Sequence, residues 1–260
     1  MILLYILSIA QGKFFIVSDL HYDIDFTLNR TSKNSCVSDY KVSNTSRSPF
    51  ELYCDSSYSL IESTLIQMVS VDPNPEFILL TGDLIAHNTM TITLDGVLDP
   101  DRNKQYIHMA LQNLSDSILH YFPKTQIIHV IGNNDAYNHY SMPEGYFKNE
   151  YLDFVFALWG KQENIPRTFL TDGYYSTKTH SGYNVICLNT LLFSHRNKDD
   201  VSGRIQMIWL KSQLEYGENI IISMHIATII DYLKLINDMF KYFQLLLKSN
   251  INNVLLWFIK

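Results

Sequence analysis

The sequence has three cysteines in 260 residues, which excludes a small scaffold built on disulfides. No apolar run approaches the roughly 18 to 20 residues that a membrane-crossing helix needs. Basic charge is not in excess either. Twenty Lys and Arg stand against 26 Asp and Glu, and a net charge of −6 gives no electrostatic footprint for nucleic acid. There is no internal repeat and no clear linker, so one domain is expected. No G-x-S-x-G follows an apolar strand, which removes an α/β hydrolase with a serine nucleophile. What remains is 47% apolar and 18% charged, a globular composition with ample length for a large core.

The start is unusual. Met1-Ile-Leu-Leu-Tyr-Ile-Leu-Ser-Ile-Ala10 is short, apolar and ends in small residues, so residues 1–12 read as a compact signal peptide without a basic first part. The alternative is a buried first strand running into Lys13-Phe-Phe-Ile-Val17. Sequons at Asn29, Asn44 and Asn113 favour export, and with it glycosylation and a secreted or lysosome- or vacuole-like destination. Cys36 and Cys54 flank a polar segment that a bridge could staple in an oxidising compartment. Cys187 lies in a strand-like run and reads as an inert core thiol.

Apolar runs at 13–18, 77–80, 127–131, 219–223 and 254–259 predict buried strands. Helical spacing marks Leu60 to Met68, Tyr106 to Ile118, Tyr146 to Trp159, Ile205 to Leu214 and Ile230 to Leu247. Hairpin-like segments are expected from Thr168 to Phe193, and a long polar insertion from Asp23 to about Ser57. Strands alternating with helices imply an α/β fold with largely parallel pairing, whose ligands gather beyond the C-terminal strand ends.

Those ends carry the chemistry. Asp19-Leu-His21 follows the first strand, Gly82-Asp83 the second, Gly132-Asn-Asn-Asp135 the third, and His225 a later one. Each has an ordinary explanation: an N-cap for Asp83 or Asp135, a turn for Gly132-Asn133, a core histidine for His225. Four in succession are not explained that way. Asp, His and Asn together suit zinc, manganese or iron, and a shared Asp can hold two ions about 3.5–4 Å apart for phosphoryl chemistry.

The pattern resembles the calcineurin-like metallophosphoesterases, in the acid sphingomyelinase-like branch that includes endopolyphosphatases. Ser18-Asp-Leu-His-Tyr22, the Cys54-Asp55 segment, Leu80-Thr-Gly-Asp-Leu-Ile-Ala-His87 and Asn189-Thr190 all match its blocks. The resemblance runs from about Phe15 to Ile259 and implies a four-layer α/β/β/α sandwich. It further implies two divalent ions, zinc in the first instance. Asp19 and His21 would hold one, Asn133 and His225 the other, and Asp83 would bridge them. His87 would be the general acid, with His139 in reserve. Asn134 replaces the histidine of G-N-H-[DE], so it can donate a hydrogen bond but not a proton. This variant resembles the endopolyphosphatases and turns the expected substrate away from sphingomyelin specifically.

The expected reaction is hydrolysis of a phosphodiester or phosphoanhydride in a small phosphoester, a phospholipid head group or polyphosphate. The family's later G-H-x-H is not found in the 260 residues. The domain, 13–260, is therefore expected to be incomplete at its C-terminus, and its activity weak. A secreted, non-catalytic binding protein of the same fold is the competing reading.

Overall fold

Four consecutive buried apolar residues, Phe77-Ile-Leu-Leu80, leave no solvent-facing side to the strand they form, β3 (Phe77–Leu80). A strand covered on both faces belongs in a parallel sheet between layers, and that is where it lies. The computed structural model describes residues 3–9, 12–26, 54–87, 89, 99–159, 168–194, 196–197, 200–226 and 254–258. One sheet has the order β1 (Leu3–Ile9), β2 (Gly12–Ser18), β3, β4 (Gln126–His129). The other runs β5 (Tyr175–Lys178), β6 (Asn184–Leu188), β7 (Ile220–Met224), β8 (Val254–Phe258). The first pair of each sheet is antiparallel, and the β2–β3, β3–β4, β6–β7 and β7–β8 pairs are parallel.

The crossovers are helical. Helix α1 (Tyr58–Val71) begins where Ser57 Oγ accepts the Leu60 N–H at 3.3 Å. It buries Ile61, Leu65 and Met68 and stops at Asp72, ahead of Pro73. Helix α2 (Pro100–Tyr121) is capped by Asp99, whose carboxylate accepts the Arg102 N–H at 3.1 Å, with Pro100 in the first turn. Helix α3 (Tyr146–Trp159) has the bounds expected from its spacing. Helix α5 (Asp200–Tyr216) extends the expected 205–214 at both ends.

The arrangement is the four-layer α/β/β/α sandwich, with two sheets face to face. Across the sheets the Tyr175 hydroxyl accepts the His129 N–H and donates to the His129 carbonyl, both at 2.9 Å. Burial of the apolar residues on β2, β3, β4, β6 and β7 supplies the main driving force, at roughly 25 cal/mol per Å² removed from water.

One expectation needs correction. Thr168–Asp172 is a short helix, α4, rather than part of a hairpin; the hairpin itself is β5–β6. Leu3–Ile9, within the expected export signal, forms strand β1, which among the described residues pairs with β2 alone. The expected helix at 230–247, most of the polar insertion, Cys36, and sequons Asn29 and Asn44 lie outside the described residues. Asn113 is exposed on α2 while its sequon partner Ser115 is buried. Cys54 is disulfide-bonded, and Cys187 is free and buried.

Candidate active site and metal centre

Parallel pairing of β2, β3 and β4 brings their C-terminal ends side by side, and the loops beyond continue the ladder. The Asp19 N–H donates to the Gly82 carbonyl at 3.1 Å, His21 N–H to Asp83 O at 3.0 Å and Tyr22 N–H to Leu84 O at 2.8 Å. Asp19, His21 and Asp83 all hold positive φ, at 58°, 43° and 53°. That conformation is uncommon outside glycine and costs of order 1–3 kcal/mol per residue, so the surrounding contacts must enforce it. Gly82, at φ 92°, has a second reason to be glycine. A Cβ there would lie 2.7 Å from the Gly132 backbone and 2.9 Å from His225 Nδ1. A Cβ on Gly132 would lie 2.0 Å from Asp83 N. The two loops touch backbone to backbone.

His225 arrives from β7 of the other sheet and is fully buried. Its Nδ1 lies 2.8 Å from the Thr81 carbonyl, which can only accept, so the hydrogen is on Nδ1. Nε2 then presents a lone pair, 3.0 Å from Asn133 Oδ1 and 3.1 Å from Asp83 Oδ1. Three electron-rich atoms face one another without a hydrogen between them. Donors set about 2.0–2.2 Å around a divalent ion fall at such separations. His21 repeats the arrangement: its Nδ1 is 3.2 Å from the Ile85 carbonyl, and Nε2 lies 3.4 Å from Asp19 Oδ1 and 3.9 Å from Asp83 Oδ2. The donor set fits two ions sharing Asp83.

His21, Asp55 and His87 also bring donor atoms within 4.8 Å of one another. That group is not a metal site by geometry. The two rings stack at 4.0 Å with planes 21° apart, and a ring nitrogen offers its lone pair in the plane. Stacked rings cannot both point at one ion. Instead Asp55 brackets His87, with its two oxygens accepting from the backbone N–H at 2.9 Å and from Nδ1 at 2.7 Å. The His87 side chain remains 40% exposed. His139 comes in from the turn beyond β4, with Nε2 3.3 Å from Asn133 Nδ2. Burial holds its pKa below the ordinary value, the Asp83 charge opposes, and Arg196 and His87 add to the lowering. Asn134 lies against Asp83: its backbone N–H donates to Oδ1 and its side-chain amide to Oδ2, both at 2.9 Å. The donor capacity of Asn134 is thus directed at the Asp83 carboxylate.

A family model, calcineurin-like phosphoesterase, matches residues 12–250. The chain belongs to the calcineurin-like phosphoesterase family. Sphingomyelinase phosphodiesterase C of Dictyostelium discoideum is 27% identical over 220 residues, covering 80% of this chain and 46% of that protein. Human acid sphingomyelinase-like phosphodiesterase 3b is 27% identical over 213 residues, 78% of this chain and 44% of that protein. Human cyclic GMP-AMP phosphodiesterase SMPDL3A is 26% identical over 219 residues, 80% and 46% respectively. The chain spans less than half the length of these relatives.

A calcineurin-like phosphoesterase site is dinuclear, and two carboxylates that shape it here have no catalytic or metal-binding role in the sequence pattern. Asp135 is fully buried and accepts four backbone N–H groups: Gly132 at 2.8 Å, Asp83 at 3.0 Å, Leu84 at 2.7 Å and Ile85 at 3.1 Å. It is the clasp that fixes the Gly82-Asp83 loop against Gly132, rather than an N-cap. Burial and the neighbouring Asp83 charge push its carboxyl up to about 6, against the pull of its N–H donors. Asp55 is the other. Both stood inside family blocks, but apart from Gly132 their partners are 32 to 52 positions away in sequence.

Proposed function

We propose that this chain hydrolyses phosphodiester or phosphoanhydride bonds with two divalent ions, zinc in the first instance, held through Asp83. The observation that carries this reading is the meeting of His225 Nε2 with Asn133 Oδ1 and Asp83 Oδ1 at 3.0 and 3.1 Å, with Asp19 and His21 beside them. When bound, the ions supply charge neutralisation of the phosphate and an activated water. The rest is done by side chains. Asp55 holds the His87 ring by Nδ1 and His21 holds it by stacking, and its Nε2 would pass a proton to the departing oxygen. Asn134 orients the Asp83 carboxylate, and His139 steadies Asn133.

The relatives' names point to sphingomyelin-like and cyclic dinucleotide phosphodiesters as substrates to try, together with polyphosphate. A cavity of about 400 Å³ opens beside the 137–138 segment, with Asn103, Tyr137, Asn138 and Phe147 among its walls. It is where we place the part of the substrate beyond the reacting phosphate. Export through a secretory route accords with the bonded Cys54 and the apolar start. Because β1 pairs, among the described residues, with β2 alone, cleavage near Gly12 would leave the parallel pairs described above in place. No helix among the described residues is long and apolar enough to cross a membrane.

The test is turnover of bis(4-nitrophenyl) phosphate by protein stripped of metal and then reloaded with zinc or manganese. Metal-dependent hydrolysis supports the reading. Two bound ions without turnover on any of the named substrates would favour the non-catalytic alternative.

A further inference from the structure

The Asn189-Thr190 pair follows β6 and lies outside the donor set, yet both residues are fully buried. They sit at the centre of a closed polar network. Gln206 of α5, also fully buried, grips the Asn189 backbone from both sides. Its Oε1 accepts the Asn189 N–H at 2.8 Å and its Nε2 donates to the Asn189 carbonyl at 3.0 Å. The Asn189 side chain donates to the Asp172 carbonyl at 2.8 Å and accepts the Leu191 N–H at 3.1 Å. The backbone on either side of Thr190 is therefore fixed. Thr190 Oγ1 in turn accepts the N–H of Ile226 at 3.0 Å, the residue directly after His225.

β7 ends at Met224, and among the described residues no ladder bond reaches Ile226 from the sheet. His225 is thus held at two points: Nδ1 by the Thr81 carbonyl of one sheet, and the following peptide by Thr190 of the other. A histidine ligand is only as well placed as the backbone that carries it. An error of tenths of an ångström at Ile226 N is carried to Nε2, where the tolerance of a coordination shell is about 0.2 Å.

We propose that Thr190 is a positioning residue for the His225 metal site, with Gln206 as its anchor. The inference rests on the two-ion reading. It predicts an unequal effect: the ion held by Asn133 and His225 depends on Thr190, and the ion held by Asp19 and His21 does not.

The experiment compares wild type, Thr190→Val and Thr190→Ser, each stripped of metal and titrated with zinc against a chromogenic chelator. Thermal unfolding of the metal-free forms runs in parallel. Val keeps the shape and leaves the Ile226 N–H without an acceptor; Ser keeps the hydroxyl. We expect Thr190→Val to lose about 10–100-fold in affinity at one of two sites, with the other within about twofold, and Thr190→Ser to restore both. If Thr190→Val does not fold, Thr190→Ala serves, since it deletes the hydroxyl without adding bulk. Two ions bound as tightly by the Val or Ala variant as by wild type would overturn the proposal, as would equal losses at both sites or a loss that Ser does not recover. A wild-type chain that takes up no second ion would overturn the two-ion reading itself, and the role of Thr190 with it.

Discussion

Replacing His129 by Leu should make the protein more stable, and increasingly so as the solution becomes acid. His129 closes β4, is 2% exposed, and among the described residues neither ring nitrogen has a hydrogen-bond partner. Burial depresses its pKa from 6.5 to about 3, and His225 in its protonated form would add to the lowering. Between those values the unfolded chain binds a proton that the folded chain refuses, so stability falls as pH drops from about 6.5 toward 3. At pH 5 the penalty from this one residue is about 2 kcal/mol, and at pH 4 roughly 3 to 4 kcal/mol. Leu cannot take up the proton, so that part of the acid slope should vanish. At pH 7.5 the gain is smaller. Two buried nitrogens without partners cost about 1–3 kcal/mol each, against roughly 0.5–1.5 kcal/mol for the stack on Trp159 that Leu gives up. Urea unfolding of both proteins at pH 7.5 and pH 5.0 measures the difference. A stability gap that stays constant or narrows toward pH 5 would refute the argument.

Four further outcomes follow from the site. His87→Ala should slow phosphodiesters with poor alkoxide leaving groups by about 10²–10⁴-fold and nitrophenyl esters far less, with metal content unchanged; equal losses would remove His87 as the acid. Asp55→Ala should slow the same alkoxide substrates, and the Asp55→Ala/His87→Ala double variant should be no slower than His87→Ala alone, since Asp55 acts through His87; additive losses would separate them. Gly132→Ala should destabilise the fold by about 3 kcal/mol or more in chemical denaturation, because its Cβ would lie 2.0 Å from Asp83 N; a loss under about 1 kcal/mol would show that the loops can part. Phe147→Ala should raise KM for a bulky phosphodiester several-fold while leaving kcat for bis(4-nitrophenyl) phosphate near wild type, and a fall in kcat for both would place the cavity wrongly.

Much of the architecture was legible because burial writes itself into composition. Phe77–Leu80 and Ile220–Met224 are unbroken apolar or small runs, as strands between two layers must be, and α3 shows its helical period over its full length. The donors were legible because Asp, His and Asn have no hydrophobic reason to end such strands. What could not be read was long-range. Nothing near Asp55 announces His87, 32 residues on, and the four N–H groups around Asp135 come from two loops. The left-handed conformations of Asp19, His21 and Asp83 are imposed by their neighbours, since none of these residues prefers them. Thr168–Asp172 was misread because a five-residue helix is too short to show a period. His129 read only as part of a strand, and its two nitrogens, unpartnered among the described residues, appear once α3 lays Trp159 against the ring.

The most direct test of the central claim is electron paramagnetic resonance of the manganese-loaded protein, wild type beside Asp83→Asn. Two Mn²⁺ ions sharing one carboxylate sit about 3.5–4 Å apart and couple magnetically. The account predicts a coupled pair in the wild type, and loss of that coupling together with phosphodiester hydrolysis in Asp83→Asn. A single uncoupled ion in the wild type, or a coupled pair that survives Asp83→Asn with hydrolysis intact, would contradict it.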